Sequence, residues 1–135
     1  MISSGYTELR KAYLDHTRIA DSGKEESYYL LFFYGLECGL KSIYLKRNKI
    51  LRTDQISDGN LRNSHDLFMM IKELRLPAQI AGTSAPSFRL ARDGTALPIK
   101  NVHEAWRYGI LIRADDLQNL LGWMQNIRNW IKETI

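Results

Sequence analysis

The chain has a single cysteine, Cys38, so no internal disulfide can form and the disulfide-stapled secreted scaffolds are excluded. Zinc-finger readings go with them, because one cysteine and three histidines offer no Cys-x-x-Cys, His-x-x-His or His-Glu-x-x-His spacing. Only three prolines and nine glycines occur, without a repeat, which excludes a collagen-like chain. No segment reaches the roughly 20 consecutive apolar residues that span a bilayer. The longest apolar run, Tyr28 to Leu40, is interrupted by Glu37. The opening Met-Ile-Ser-Ser-Gly-Tyr carries neither the basic nor the apolar segment of a signal peptide, so a soluble, cytoplasmic protein without membrane contact is expected. No glycine-rich phosphate loop follows a strand, and nothing in the sequence brings Ser, His and Asp together as a triad. Neither a metal nor a cofactor is expected.

What is present suits one globular domain over residues 1–135, with 44% hydrophobic and 25% charged side chains. The formal net charge of +4 is unevenly spread. It concentrates between residues 41 and 62, where Lys41, Lys46, Arg47, Lys49, Arg52 and Arg62 face only Asp54 and Asp58. Such a region attracts phosphate, and a solvated helix end has the same composition.

Ser4 is the expected cap of a first helix, from about Tyr6 to Ala20, ended by Asp21-Ser22-Gly23. A second helix is expected from near Glu25 to about Asn48, with acids at its start and Lys46, Arg47 and Lys49 at its end, as the helix dipole favours. Its middle is apolar almost all round, which suits the centre of a bundle or a subunit interface. Gly35 and Gly39, one turn apart, would let a neighbouring backbone come close. Asp58-Gly59-Asn60 reads as a turn. Ser64 would cap a third helix, His65 to about Arg75, stopped by Pro77. Phe88 to Ile99 reads as a hairpin around Asp93-Gly94, with Pro98 on an edge strand. Val102 to Tyr108 is either a short helical turn or an extended arm. Asp115 would cap a last helix to about Glu133, whose stripe of Leu117, Leu120, Leu121, Met124, Ile127 and Ile131 is widened by Trp123 and Trp130. The expected fold is mainly α: an antiparallel four-helix bundle with a small β-hairpin inserted before the last helix.

Two segments, taken in order, carry a family likeness. Leu36-Glu37-Cys38-Gly39-Leu40-Lys41-Ser42-Ile43-Tyr44-Leu45 lies on the second helix, and His65-Asp66-Leu67 opens the third; Trp106-Arg107-Tyr108 precedes the last. Together they resemble the HEPN family (higher eukaryotes and prokaryotes nucleotide-binding domain) over about residues 25–135. The resemblance implies a helical bundle that usually dimerises, often encoded in prokaryotic toxin–antitoxin, antiviral defence or RNA-processing systems. The hairpin is an elaboration on the minimal family pattern. Many active members are metal-independent ribonucleases with Arg, four to six residues, then His near the last helix. Here Arg128-Asn129 stands at the expected place, but no histidine follows. Arg10 and His16 match the spacing only on the first helix, where they lie about 240° apart around the axis.

Candidate site residues follow from these patterns. His65 can act as a general base, held neutral by the positive end of the third helix; equally, His65 and Asp66 can serve as helix caps. Glu37, the sole charge within the apolar run, needs a partner: Lys41 has the favourable helix spacing and Arg107 is the second candidate. A structural pair and a catalytic carboxylate are both consistent with it. His103, Glu104 and Arg107 beside Trp106 and Tyr108 combine a stacking surface with a phosphate-binding cation, or they simply secure the connection. The preferred expectation is a non-catalytic HEPN-like module that binds a nucleotide or RNA phosphate through Lys46, Arg47, Lys49, Arg52 and Arg107. It would act as a homodimer or with a partner protein from the same operon. The alternative is a metal-independent endoribonuclease with His65 or His103 as acid–base group and Arg62 or Arg107 in support. A third reading is an oligomerisation scaffold that uses Trp123 and Trp130.

Overall fold

The structure, a computed structural model, describes residues 2–63 and 65–135. It is mainly helical: α1 (Tyr6–Ala20), α2 (Glu26–Arg47), α3 (Gly59–Asn63), α4 (Leu67–Leu74), α5 (Ala78–Ala81), α6 (Val102–Arg107) and α7 (Ala114–Thr134). Between α5 and α6, β1 (Ser87–Arg89) and β2 (Ala96–Pro98) pair antiparallel, with Phe88 opposite Leu97. None of the described helices is long and apolar enough to cross a membrane.

The nearly uniform apolarity of α2 has its explanation in its position. It packs against α1, α4, α6 and α7, so it has almost no face left for water. Phe33, Leu36, Leu40 and Leu45 are completely buried. The two glycines set the closest approach: a Cβ on Gly35 would stand 2.9 Å from Thr17 Cγ2, and one on Gly39 would stand 2.8 Å from Tyr13 Cδ1 and 3.1 Å from Ile131 Cγ2. Gly35 facing Thr17 while Gly39 faces Tyr13 also shows that α1 and α2 run antiparallel. The amphipathic stripe of α7 closes the core from the other side through Leu120, Met124, Ile127 and Ile131. Arg128 then fastens α7 to the end of α1 by a bidentate bond to Asp21, with both oxygens at 2.6 Å.

Several local expectations are corrected. Gly5, not Ser4, caps α1: the Glu8 carboxylate accepts from the Gly5 N–H, and the Ser4 N–H donates to Thr53 Oγ1 instead. Asp58-Gly59-Asn60 is the start of a helix, because Asp58 Oδ1 accepts from the N–H groups of Asn60 and Leu61. Ser64, the expected cap of the next helix, lies outside the described residues; Asp66 caps α4 by accepting from Phe68 and Met69, so His65 precedes the helix. Asp115 does not cap α7, whose N-cap is Arg113. Asp115 and Asp116 instead take the Arg89 guanidinium of β1, at 3.1 and 2.9 Å. That bridge, with the Leu90–Ile112 pairing, holds the hairpin against α7. Of the two alternatives for Val102 to Tyr108, the structure has the helical one, over Val102–Arg107.

Candidate functional site

Three elements bring polar side chains to one junction. Tyr34, Glu37 and Lys41 lie three and four residues apart on α2 and so share one face. His103 and Arg107, four apart, do the same on α6. His65 arrives on the link between α3 and α4.

Glu37 is the hub. Its side chain is only 12% exposed, and Lys41 Nζ stands 3.1 Å from it. The second partner is His65, whose Nδ1 lies 3.2 Å from the carboxylate, and not Arg107 as the sequence suggested. Arg107 turns to the Tyr34 hydroxyl, which accepts from Nη2 at 2.7 Å. Lys41 also approaches the Arg62 carbonyl at 3.5 Å. The His65 and His103 rings are 4.7 Å apart between centroids. His103 stacks on Phe33 at 5.8 Å, and the Tyr34 ring lies 6.0 Å from His65.

These neighbours set the charge states. For Glu37, burial works against the anion, but the His65 hydrogen bond and the Lys41 charge outweigh it, and its pKa ends below the usual carboxylate value. The hydrogen bond to Glu37 raises the pKa of His65 above the ordinary imidazole value, against a smaller effect of burial. The sequence expectation of a lowered His65 pKa at a helix start is therefore reversed, because the Glu37 carboxylate stands 3.2 Å from Nδ1. His103 moves the opposite way: burial lowers its pKa, and the charges of His65 and Arg107 lower it further. Its Nδ1 is buried with no hydrogen-bond partner. A lone pair is less costly to leave unpaired in the interior than an N–H, so the neutral ring carries its proton on Nε2. The junction thus offers His65, His103 Nε2–H, Lys41 and Arg107 as donors; Glu37 is already engaged, and Asp66 and Glu104 line the cleft beside His103.

Two clefts open beside the junction. One, of about 580 Å³, is lined by His65, His103, Asn60, Asn63, Asn101 and Lys100, among others. The other, of about 490 Å³, is lined by Tyr34, Glu37, Cys38, Lys41, Arg62 and His65, with Ile2 and Leu9. Cys38 is no nucleophile here, since burial pushes its thiol up to about 11. Among the described residues, no group of three or more His, Cys, Asp or Glu could hold a metal ion.

His65, His103 and Arg107 are thus brought together, although well separated in the chain. Arg62 lines the second cleft, but its guanidinium donates to the Ile56 carbonyl at 3.0 Å. The remaining basic candidates lie elsewhere. Lys46 Nζ sits 5.4 Å over the Tyr6 ring, and Arg47 lies 5.4 Å over Trp130 while donating to the Leu74 carbonyl. Arg52 approaches Asp54 at 3.7 Å, and Lys49 is exposed just beyond α2. Tyr34 and the three asparagines were not singled out from sequence. The spacing of Tyr34, Glu37 and Lys41 is the signal that would have found the tyrosine. Comparison of the chain with protein-family models, curated proteins and solved structures gives no match.

Proposed function

We propose that this chain is a HEPN-like helical module that binds an RNA or nucleotide phosphate at the junction of α2, α4 and α6. The observation that carries this reading is the convergence of His65 and His103, at 4.7 Å, with Lys41 and Arg107 beside the engaged Glu37 carboxylate. His65 and the Lys41 ammonium share the Glu37 carboxylate, while the Arg107 guanidinium donates to the neutral Tyr34 hydroxyl and, among the described residues, forms no ion pair. A dianionic or monoanionic phosphate supplies what is missing. The family attribution rests on the order of the Leu36–Leu45 run, His65-Asp66-Leu67 and Arg107-Tyr108. With it come a four-helix bundle formed by α1, α2, α4 and α7, a homodimer or operon-encoded partner, and a cytoplasmic setting in defence or toxin–antitoxin systems. Binding of a mixed-sequence RNA should weaken steeply with salt and fall at least tenfold in Arg107→Ala. Affinity unchanged by both would overturn the reading.

A second reading has a specific observation behind it. The oppositely shifted pKa values of His65 and His103 are what a metal-independent endoribonuclease needs, one imidazole to take the 2′-hydroxyl proton and the other to protonate the leaving 5′-oxygen. For His103 to accept at Nε2, however, its proton must move to the buried, unpartnered Nδ1, which is why binding without cleavage is preferred. Incubation of RNA with the protein in EDTA separates the two: cleavage lost in His65→Ala or His103→Ala establishes the enzyme. The scaffold reading has less behind it, because Trp123 donates to the Ala81 carbonyl and Trp130 lies under Arg47.

A further inference from the structure

The two clefts meet at one wall. His65 and Asn63 line both, so whatever anion sits at His65 adjoins two cavities. Each volume falls within the roughly 300–1,000 Å³ of a small-molecule site, enough for one nucleoside. Their linings differ in kind. The cleft beside His103 is lined by Asn60, Asn63 and Asn101 together with Asp66, Lys100 and Glu104, and among the described residues no hydrogen bond engages the three side-chain amides. An amide offers two donors and an acceptor in one plane, the complement of a base edge. The cleft beside Lys41 places the Tyr34 ring with Leu9, Ile2 and Cys38, a lining that accepts any base by its face.

We propose that the two clefts take two successive nucleosides of a single RNA strand, with the phosphodiester between them at His65, His103 and Arg107. The asparagine cleft selects its base and the Tyr34 cleft does not. This inference rests on the phosphate site argued above. His103, though buried, lines the asparagine cleft with His65, its ring 4.7 Å away. A single strand suits this arrangement better than a stacked duplex, because its bases can leave the stack to enter two separate clefts.

The test uses the whole ¹⁵N-labelled chain and three kinds of probe: inorganic phosphate, adenosine 5′-monophosphate, and 2′-O-methyl dinucleotides, which cannot be cleaved through the 2′-oxygen. A dinucleotide is expected to bind roughly tenfold or more tightly than the mononucleotide, the scale of one additional stacked base. It should shift the side-chain amide signals of Asn63 and Asn101, which inorganic phosphate leaves in place. Across a set with all four bases at each position, one position should discriminate and the other should not. Asn101→Ala, and independently Asn63→Ala, should flatten that discrimination. If dinucleotide and mononucleotide bind equally with the amides unmoved, while phosphate still shifts the signals of His65 and Arg107, the two-cleft proposal is wrong and the phosphate site stands. If no probe moves His65 or Arg107, the phosphate site itself fails, and this inference with it.

Discussion

At the end of α2, Arg47 donates to the Leu74 carbonyl at 2.8 Å and covers the Trp130 ring, while Lys46 covers Tyr6. A few turns earlier on the same helix, Lys41 and Glu37 meet His65, with His103 and Arg107 close by. Both regions are cationic. At the helix end the cations are matched by carbonyls and rings of the chain itself, and they fasten α4, α7 and α1 to α2. At the junction Lys41 and His65 share the Glu37 carboxylate, Arg107 donates to the neutral Tyr34 hydroxyl, and two open clefts adjoin them. Charge density along a chain therefore says little about which cations the fold leaves beside an open cleft. What decides it is whether the fold has already put a partner opposite each donor.

The largest expected effect comes from removing the hub. Glu37→Ala leaves Lys41, only 15% exposed in its side chain, without its carboxylate. It should destabilise the fold by about 2–3 kcal/mol in urea unfolding, somewhat below the range for fully buried pairs because the cleft admits water. Arg47→Ala should come next, at about 1–2 kcal/mol for one charged hydrogen bond and one ring contact, with RNA affinity retained. An affinity loss as large as that of Arg107→Ala would erase the distinction between the two regions.

The histidines sharpen it through pH. His65 has a raised folded pKa, so its stabilisation is complete below the unfolded value of about 6.5 and disappears as pH rises through the folded value. His103 has a lowered folded pKa, so it imposes a penalty that is absent above about 6.5 and grows as pH falls toward its folded value. The two slopes oppose each other in the wild-type chain. His103→Phe, which keeps a ring against Phe33, should therefore make stability fall more steeply from pH 6 to 8. His65→Gln should turn the same interval into a rise, and urea midpoints across the interval would show either. The smallest effect is expected at Lys49, whose φ of 55° lies in the left-handed region. Lys49→Gly should raise stability by about 0.5 kcal/mol, the left-handed relief less glycine's added chain entropy, and leave RNA binding alone.

Local chemistry was legible in the sequence and long-range chemistry was not. The bounds of α1, the Asp93-Gly94 hairpin and the Glu37–Lys41 pair depend on residues within a few positions of one another. Glu37–His65 joins residues 28 apart, and Arg107–Tyr34 residues 73 apart, which no periodicity encodes. The same limit explains the misread caps. Asp115 has every local qualification for capping α7, yet Arg89 on β1 draws it away from across the fold. At Asp58 the local signal was ambiguous: an Asp-Gly-Asn string serves a turn or a helix start, and only Ile56 and Leu61, both buried beneath it, favour the helix.

Gly39 touches Tyr13 of α1 on one side and Ile131 of α7 on the other. On a ribosome these two contacts belong to different moments. The first can form as soon as the α1–α2 pair has emerged. The second waits for about 90 further residues, which at roughly 5–20 residues per second takes on the order of 5–20 s. Throughout that interval the face of α2 that α7 will cover is open to water, and the faces for α4 and α6 can close only as each of them emerges. A growing chain of this protein thus carries an uncovered apolar helix for seconds, available to a chaperone or to a sister chain on the same message.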